Sequence, residues 1–185
     1  DNFTPYLGKS YENNEIEQAI EDVKEKVEVK DANDKDIVEL LDKGNIVAVF
    51  GGGSESGRRA LGNRSILADP RDPNMKDTIN EKVKHRQWYR PFAPSILSED
   101  AEEWFENSKD SPYMQFVLSF KEDKKDKEPA VSLWKEKSGV PIVLNTSFND
   151  REPICENPGH AIDCYLRTNI DYLYFYDAGK LISKK

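Results

Sequence analysis

The chain has 185 residues, 34% of them charged, and a formal charge of −8. That length suits one domain with a core of useful size. The acidic balance disfavours long nucleic-acid backbones as partners, and no apolar run approaches the ~18 residues that a membrane-crossing helix needs. Cys155 and Cys164 are the only cysteines, and His85 and His160 the only histidines. Scattered in this way they argue against a zinc site, and the cysteines read as reduced core residues of a cytoplasmic protein. No signal-peptide pattern is visible at Asp1, and a trimmed chain or an excised domain is the expectation.

Residues 1–12 read as a leader, or as an interdomain segment, with Pro5 and Gly8 as breakers. From Asn13 to Lys24 the apolar residues Ile16, Ala19, Ile20 and Val23 recur at helical spacing. Val27 and Val29 predict a short edge strand. Asp34 or Asp36 opens a second helix with Ile37, Val38, Leu40 and Leu41 inward, and Gly44 closes it. Core packing suffices to explain both helices.

The run Ile46 to Phe50 predicts a buried strand, followed by a glycine-rich, arginine-rich stretch from Gly51 to Pro94. This stretch holds six of the eight arginines. Its nine basic and five acidic side chains give it +4, which leaves −12 for the rest. Guanidinium forks grip phosphate or carboxylate oxygens bidentately, and glycines let backbone amides approach an anion. A phosphate cradle is therefore a physically sensible reading, set against a plain surface loop of solvated arginines. It is not a P-loop, because Arg58 and Arg59 stand where Lys and Ser or Thr would be. Nor is it a dinucleotide fingerprint, since Ser56 occupies the third glycine position.

Ser65 to Ala68 predicts a strand stopped by Asp69-Pro70, and Asp72 a helix cap with Pro73 at the first helical position, the helix running to about Val83. Pro91 and Pro94 force an extended or turning chain around Arg90. Lys82, Lys84 and Arg86 share a face if that stretch is extended; otherwise the lysines merely solvate a helix end. Trp88 reads as core, or with Tyr89 as a base-stacking pair. Ser98 starts a helix with Trp104 and Phe105 inward, Tyr113 to Phe120 reads as a strand, and KEDKKDKEPAV is a charged loop. Leu133 to Lys137 ends a helix, with Gly139 near its cap, and Val140 to Leu144 is a strand. Asn145 to Asn149 then follow past its end, where open sheets bind ligands, or serve only as turn formers. A helix from Asn157-Pro158 to about Asn169, a strand from Tyr172 to Tyr176 and a hairpin turn into Leu181-Ile182 complete the chain. The alternation predicts an α/β or α+β fold, an open twisted mixed sheet with flanking helices.

Three ordered motifs, GRRALGNRSILADPR, INEKVKHRQWYRPFAP and GVPIVLNTSFN, resemble the C-terminal domain of the carbamoyltransferases related to the nodulation protein NodU and to antibiotic O-carbamoyltransferases. The resemblance extends over nearly the whole chain and implies a YrdC-like fold for residues 13–185. It also implies a partner, a Kae1-like N-terminal domain that is absent from this sequence. The family usually has Pro where Arg58 stands, often Arg at Gly53, and often an extra glycine before Glu152-Pro153. In the family, a sequence like EPAVS continues into a His-x-Asp-Gly-Thr motif. Here Ser132 passes straight to Leu133, and the expectation is that an active-site segment is missing between these two residues.

The resemblance implies a use of ATP and carbamoyl phosphate to form carbamoyl-adenylate. It points to Arg59, Lys84 and Arg90 as phosphate-contacting catalytic residues. Asn63, Arg64, Arg86, Asn145, Ser147, Asn149 and Arg151 follow as substrate-binding candidates, with Arg64 alternatively a structural ion-pair partner. Magnesium is compatible with ATP use, although no ligand set stands out and no metal site is predicted. The alternative is a nucleotide-binding or RNA-binding module without turnover.

Overall fold

The computed structural model describes residues 13–52, 63–85, 93–96, 129–150 and 153–185, with side chains given outside 93–96 and 129–132. Among the described residues, seven strands form one mixed sheet in the order β1-β7-β6-β2-β3-β5-β4. They are β1 (Val27–Asp31), β2 (Val47–Phe50), β3 (Arg64–Ala68), β4 (Ala93–Ile96), β5 (Ile142–Ser147), β6 (Tyr172–Phe175) and β7 (Lys180–Lys184). Only β2 and β6 pair in parallel; the other neighbours are antiparallel. Five helices flank the sheet among the described residues: α1 (Asn13–Glu21), α2 (Asp34–Asp42), α3 (Met75–Lys82), α4 (Pro129–Ser138) and α5 (Pro158–Arg167). The predicted open mixed α/β sheet is what forms.

Side chains alternate across the strands, so each face owns a core. On one face Ala48, Phe50, Ile66, Leu173 and Phe175 meet Ile16 and Ile20 of α1, Met75 and Ile79 of α3, and Ala161 and Tyr165 of α5. On the other, Val47, Val49, Val143, Tyr174 and Leu181 meet Ile37, Val38 and Leu41 of α2 and Trp134 of α4. Strands covered on both sides read as unbroken apolar runs, which is why Ile46 to Phe50 carries no polar alternation.

Local chemistry sets the element ends. Asn33 is the N-cap of α2 in a reciprocal capping box with Asp36. Gly44, at φ 84°, ends it as expected. Asn157 caps α5 by accepting from the His160 amide at 2.8 Å, with a proline in the first turn. Helix α1 is shorter than expected. After Glu21 the chain tightens into three-residue turns, with Val23 bonded to Ile20 and Lys26 to Val23, and these set Val27 onto the core. Asp72 does not cap α3 as predicted. Its carboxylate takes the Asn74 amide at 2.8 Å in a turn, and the helix opens at Met75.

One further correction concerns the C-terminal half. Asn145 to Ser147 lie within β5 rather than past its end, because they pair with β3 on one side and Asn145 pairs with β4 on the other. Helix α4 runs across Ser132–Leu133. The expected helix after Ser98 and strand from Tyr113 fall outside the described residues.

Candidate functional site

The sheet brings the sequence motifs to one edge. Because β5 runs with β2 and β6, their carboxyl ends coincide: Phe50 lies beside Phe175 and Arg64, and Ser65 beside Ser147. The first residue of β4, Ala93, enters next to Asn145. Gly51-Gly52, Asn63-Arg64, the RPFAP motif's end and Ser147 to Asn149 therefore converge where an open α/β sheet places its ligands.

Lys84 is the charged group built into that edge. It follows α3 and is only 3% exposed. Its Nζ donates to the Ser147 carbonyl at 2.8 Å, the Ser147 hydroxyl at 3.2 Å, the Asn149 carbonyl at 2.7 Å and Asn149 Oδ1 at 2.6 Å. The Ser147 hydroxyl also donates to Asn149 Oδ1, at 2.7 Å. These oxygens belong to neutral groups. They fix the position of the ammonium beside the end of β5. Lys82 is exposed on α3 while Lys84 is buried beyond its end, so the two do not share the face expected of an extended stretch.

Arg64 turns the other way. It is fully buried, its guanidinium 3.6 Å from the Phe50 ring centroid. It donates to the carbonyls of Cys155 at 3.1 Å, Asn63 at 3.0 Å and Gly52 at 3.4 Å, and to that of Gly51. The Phe148 amide in turn donates to the Arg64 carbonyl at 2.8 Å, and the Cys155 amide to the Phe148 carbonyl at 3.1 Å. Arg64 thus braces the glycine turn against the NTSFN segment through carbonyls. Cys155 and Cys164 are both buried free thiols.

Asn63 accepts at Oδ1 from the Tyr176 hydroxyl at 2.7 Å, and its carbonyl accepts from the Gly51 amide at 3.1 Å. The Gly52 amide donates to the Asp177 carboxylate at 2.6 Å. Asn145 is buried inside β5. The sequence signalled Asn63 but not Tyr176 and Asp177, which reach the site through the parallel β2–β6 pairing. Arg59, Arg86, Arg90 and Arg151 lie outside the described residues, as do Trp88 and Tyr89. Among the described residues, Lys84, Ser147, Asn149, Asn63 and Arg64 are brought together.

The last part of the first motif serves elsewhere. Asp69 sits past the far end of β3, its carboxylate gripped by the Arg71 side chain at 2.7–3.0 Å. Arg71 also reaches Asp42 of α2 at 2.7 Å and lies over the Trp134 ring. The two carboxylates push the Arg71 pKa further up. This cluster ties α2 and α4 to the sheet on the edge opposite the candidate site.

The family profile described as "Carbamoyltransferase C-terminus" matches residues 38–134 and 129–182. The chain belongs to this family. It is 36% identical to an uncharacterised protein of Methanocaldococcus jannaschii over 98% of its own length and 34% of that protein's. It is 40% identical to the nodulation protein NolNO of Sinorhizobium fredii, with 73% and 24% covered. Nodulation protein U of the same species is 42% identical, with 62% and 25% covered. The chain thus spans about a third or less of the length of these three relatives.

The alignment of this chain with the Methanocaldococcus protein runs over 211 positions, more than the 185 residues here, so it includes positions with no counterpart in this chain. The two profile matches overlap at 129–134, the first turns of α4. Among the described residues no helix is long and apolar enough to cross a membrane. No group of three or more His, Cys, Asp or Glu among them could hold a metal ion.

Proposed function

We propose that this chain is the substrate-activating domain of a carbamoyltransferase, binding ATP and carbamoyl phosphate and forming carbamoyl-adenylate. The acceptor hydroxyl is carbamoylated by a separate Kae1-like domain of the full-length enzyme. The observation that carries this reading is Lys84: a buried ammonium oriented by Ser147 and Asn149 at the sheet edge where three family motifs meet.

The chemistry suits such a site. Water cleaves carbamoyl phosphate to carbamate and inorganic phosphate. A carbamate oxygen then attacks the α-phosphorus of ATP, and the bond to the bridging oxygen of pyrophosphate breaks, giving carbamoyl-adenylate and pyrophosphate. Negative charge moves onto the leaving groups in both steps, and fixed cations in a dry site stabilise that movement. Lys84 supplies one, and Arg59, Arg90 and Arg151 are the sequence's candidates for the others, with Arg86 beside them. Ser147 and Asn149 orient the Lys84 ammonium, Asn63 holds the glycine turn, and Arg64 braces it. Magnesium enters with ATP as part of the substrate.

The test is pyrophosphate release from ATP with and without carbamoyl phosphate, on the wild-type chain, Lys84→Met and Arg90→Ala. Release that requires carbamoyl phosphate and is lost in both variants supports the reading. ATP binding by the folded chain without release supports the second reading, a nucleotide-binding module without turnover. A folded chain that binds no ATP would overturn both.

A further inference from the structure

Strand β1 closes one end of the sheet, and its sequence is complementary to itself. We propose that β1 is a self-association surface: two copies of this chain pair their β1 strands antiparallel, Val29 against Val29 across a two-fold axis, and join their sheets into one. The inference is independent of the carbamoyltransferase chemistry, because β5 and its neighbours stand towards the other end of the strand order.

The backbone shows which groups are on offer. Among the described residues β1 pairs with β7 alone, from Val27 opposite Lys184 to Asp31 opposite Lys180. Two bonds frame this ladder: the Lys185 amide donates to the Lys26 carbonyl at 3.1 Å, and the Ala32 amide to the Gly179 carbonyl at 3.0 Å. In an antiparallel ladder the backbone groups of alternate residues point to the same side. Those of Glu28 and Lys30 therefore point at β7, as do the framing groups of Lys26 and Ala32. Those of Val27, Val29 and Asp31 point away from the sheet. Every residue of β1 after Val27 is exposed, and Val29, at 43%, is the large hydrophobic residue that the described part of the chain leaves to solvent. Glu28 and Lys30 take part in no ion pair among the described residues.

These observations select the partner and the register. The outward backbone groups bond across a junction only where Val27, Val29 and Asp31 meet one another. Val27 against Val29 would set Glu28 opposite Glu28, and Val29 against Asp31 would set Lys30 opposite Lys30. Val29 against Val29 sets Glu28 opposite Lys30 on both sides of the axis, and Val27 opposite Asp31. Like charges directly opposite destabilise a strand pair and opposite charges stabilise it. Glu28 and Lys30 then occupy the non-hydrogen-bonded positions, where facing side chains lie closest. The amides and carbonyls of Val27, Val29 and Asp31 all find partners, and the two Val29 side chains cover each other. Charges on an edge strand ordinarily discourage pairing. Here an acid, an apolar residue and a base in succession discourage the neighbouring registers and favour this one. A contact of five residues per strand is small, so the dissociation constant should be on the order of 100 µM.

The test is analytical ultracentrifugation of the full chain from about 10 to about 1,000 µM, a range that brackets the expected constant. The samples are wild type, Lys30→Glu, Glu28→Lys, an equal mixture of these two variants, and the double variant carrying both substitutions. Wild type should pass from monomer to dimer. Each single substitution sets like charges opposite on both sides of the axis and should weaken the dimer at least about tenfold. The mixture and the double variant should recover it, because opposite charges face each other again. Circular dichroism should show the wild-type fold in every sample, since both positions are exposed. A wild-type chain that stays monomeric at the highest concentration would overturn the proposal. A dimer indifferent to both single substitutions would place the contact on another surface and overturn it too. Weakening by the single substitutions without recovery in the mixture or the double variant would overturn the register centred on Val29.

Discussion

Two basic residues in neighbouring motifs illustrate how little residue type alone decides. Lys84 and Arg64 are both buried, yet one presents its charge at the NTSFN segment and the other spends its donors on backbone carbonyls. Their substitutions should therefore fail differently. Lys84→Met keeps the stem and removes the charge, so ATP affinity should fall ~10- to 100-fold, the range of a charge-assisted hydrogen bond of about 1.5–3 kcal/mol. The fold should survive with a modest loss from the oxygens left behind. Arg64→Met removes donors from four carbonyls and a cation from the Phe50 face, and should cost about 3 kcal/mol or more of stability. Urea unfolding separates them: if Arg64→Met unfolds like wild type, the bracing role is wrong. The sequence revealed that both positions mattered. It could not assign their roles, because direction of burial depends on contacts such as Arg64 with Cys155, 91 residues apart.

At the scale of elements, most of the fold was legible. Periodicity placed α1, α2 and α5, and turn chemistry placed Gly44, Gly139 and the Asn157-Pro158 start, since these signals are local. The end of β5 was misread for the opposite reason. Asn, Thr and Ser favour turns when alone, but hydrogen bonds from two neighbouring strands outweigh that preference. At Gly51, where the sequence suggests close approach of the backbone to an anion, the structure adds a steric need from Tyr176. That need is testable as a coupling. Gly51→Ala alone should be destabilising by roughly 2 kcal/mol, as overpacking typically is. In a Tyr176→Ala background most of that cost should vanish, since the obstructing ring is gone. A double-mutant cycle by chemical denaturation measures it, and strict additivity would remove the ring contact as the cause. Helix α4 offers a second element-scale prediction. Trp134 is fully buried and donates to the Ile142 carbonyl at 2.8 Å. Trp134→Ala should cost about 3–5 kcal/mol, and Trp134→Phe clearly less. A small loss for Trp134→Ala would mean that α4 contributes little to the fold.

For the whole molecule, pH stability tests whether both faces of the sheet are closed. Tyr165 lies in one core and Tyr174 in the other. Burial pushes both phenols well above the ordinary 10.0, and Asp34 adds to the effect at Tyr174, whose hydroxyl donates to Asp34 at 3.1 Å. A raised folded pKa means that the native state keeps its proton while the unfolded chain loses it. Stability from these groups is therefore complete below pH ~10 and declines above it, by up to about 1.4 kcal/mol per pH unit for each tyrosine. Lys184, whose amine lies over the Tyr165 ring, opposes this just below its ordinary 10.5, because burial lowers its pKa. The tyrosines dominate beyond that value, where lysine is neutral in both states. Urea unfolding from pH 8 to 11.5 should thus show a steepening loss. Tyr174→Phe should start about 1 kcal/mol less stable at pH 8, for want of the bond to Asp34, and then decline less steeply, so that the two curves converge. Parallel curves would mean that Tyr174 ionises as freely in the folded protein as in the unfolded one, and that the α2 face stands open to solvent.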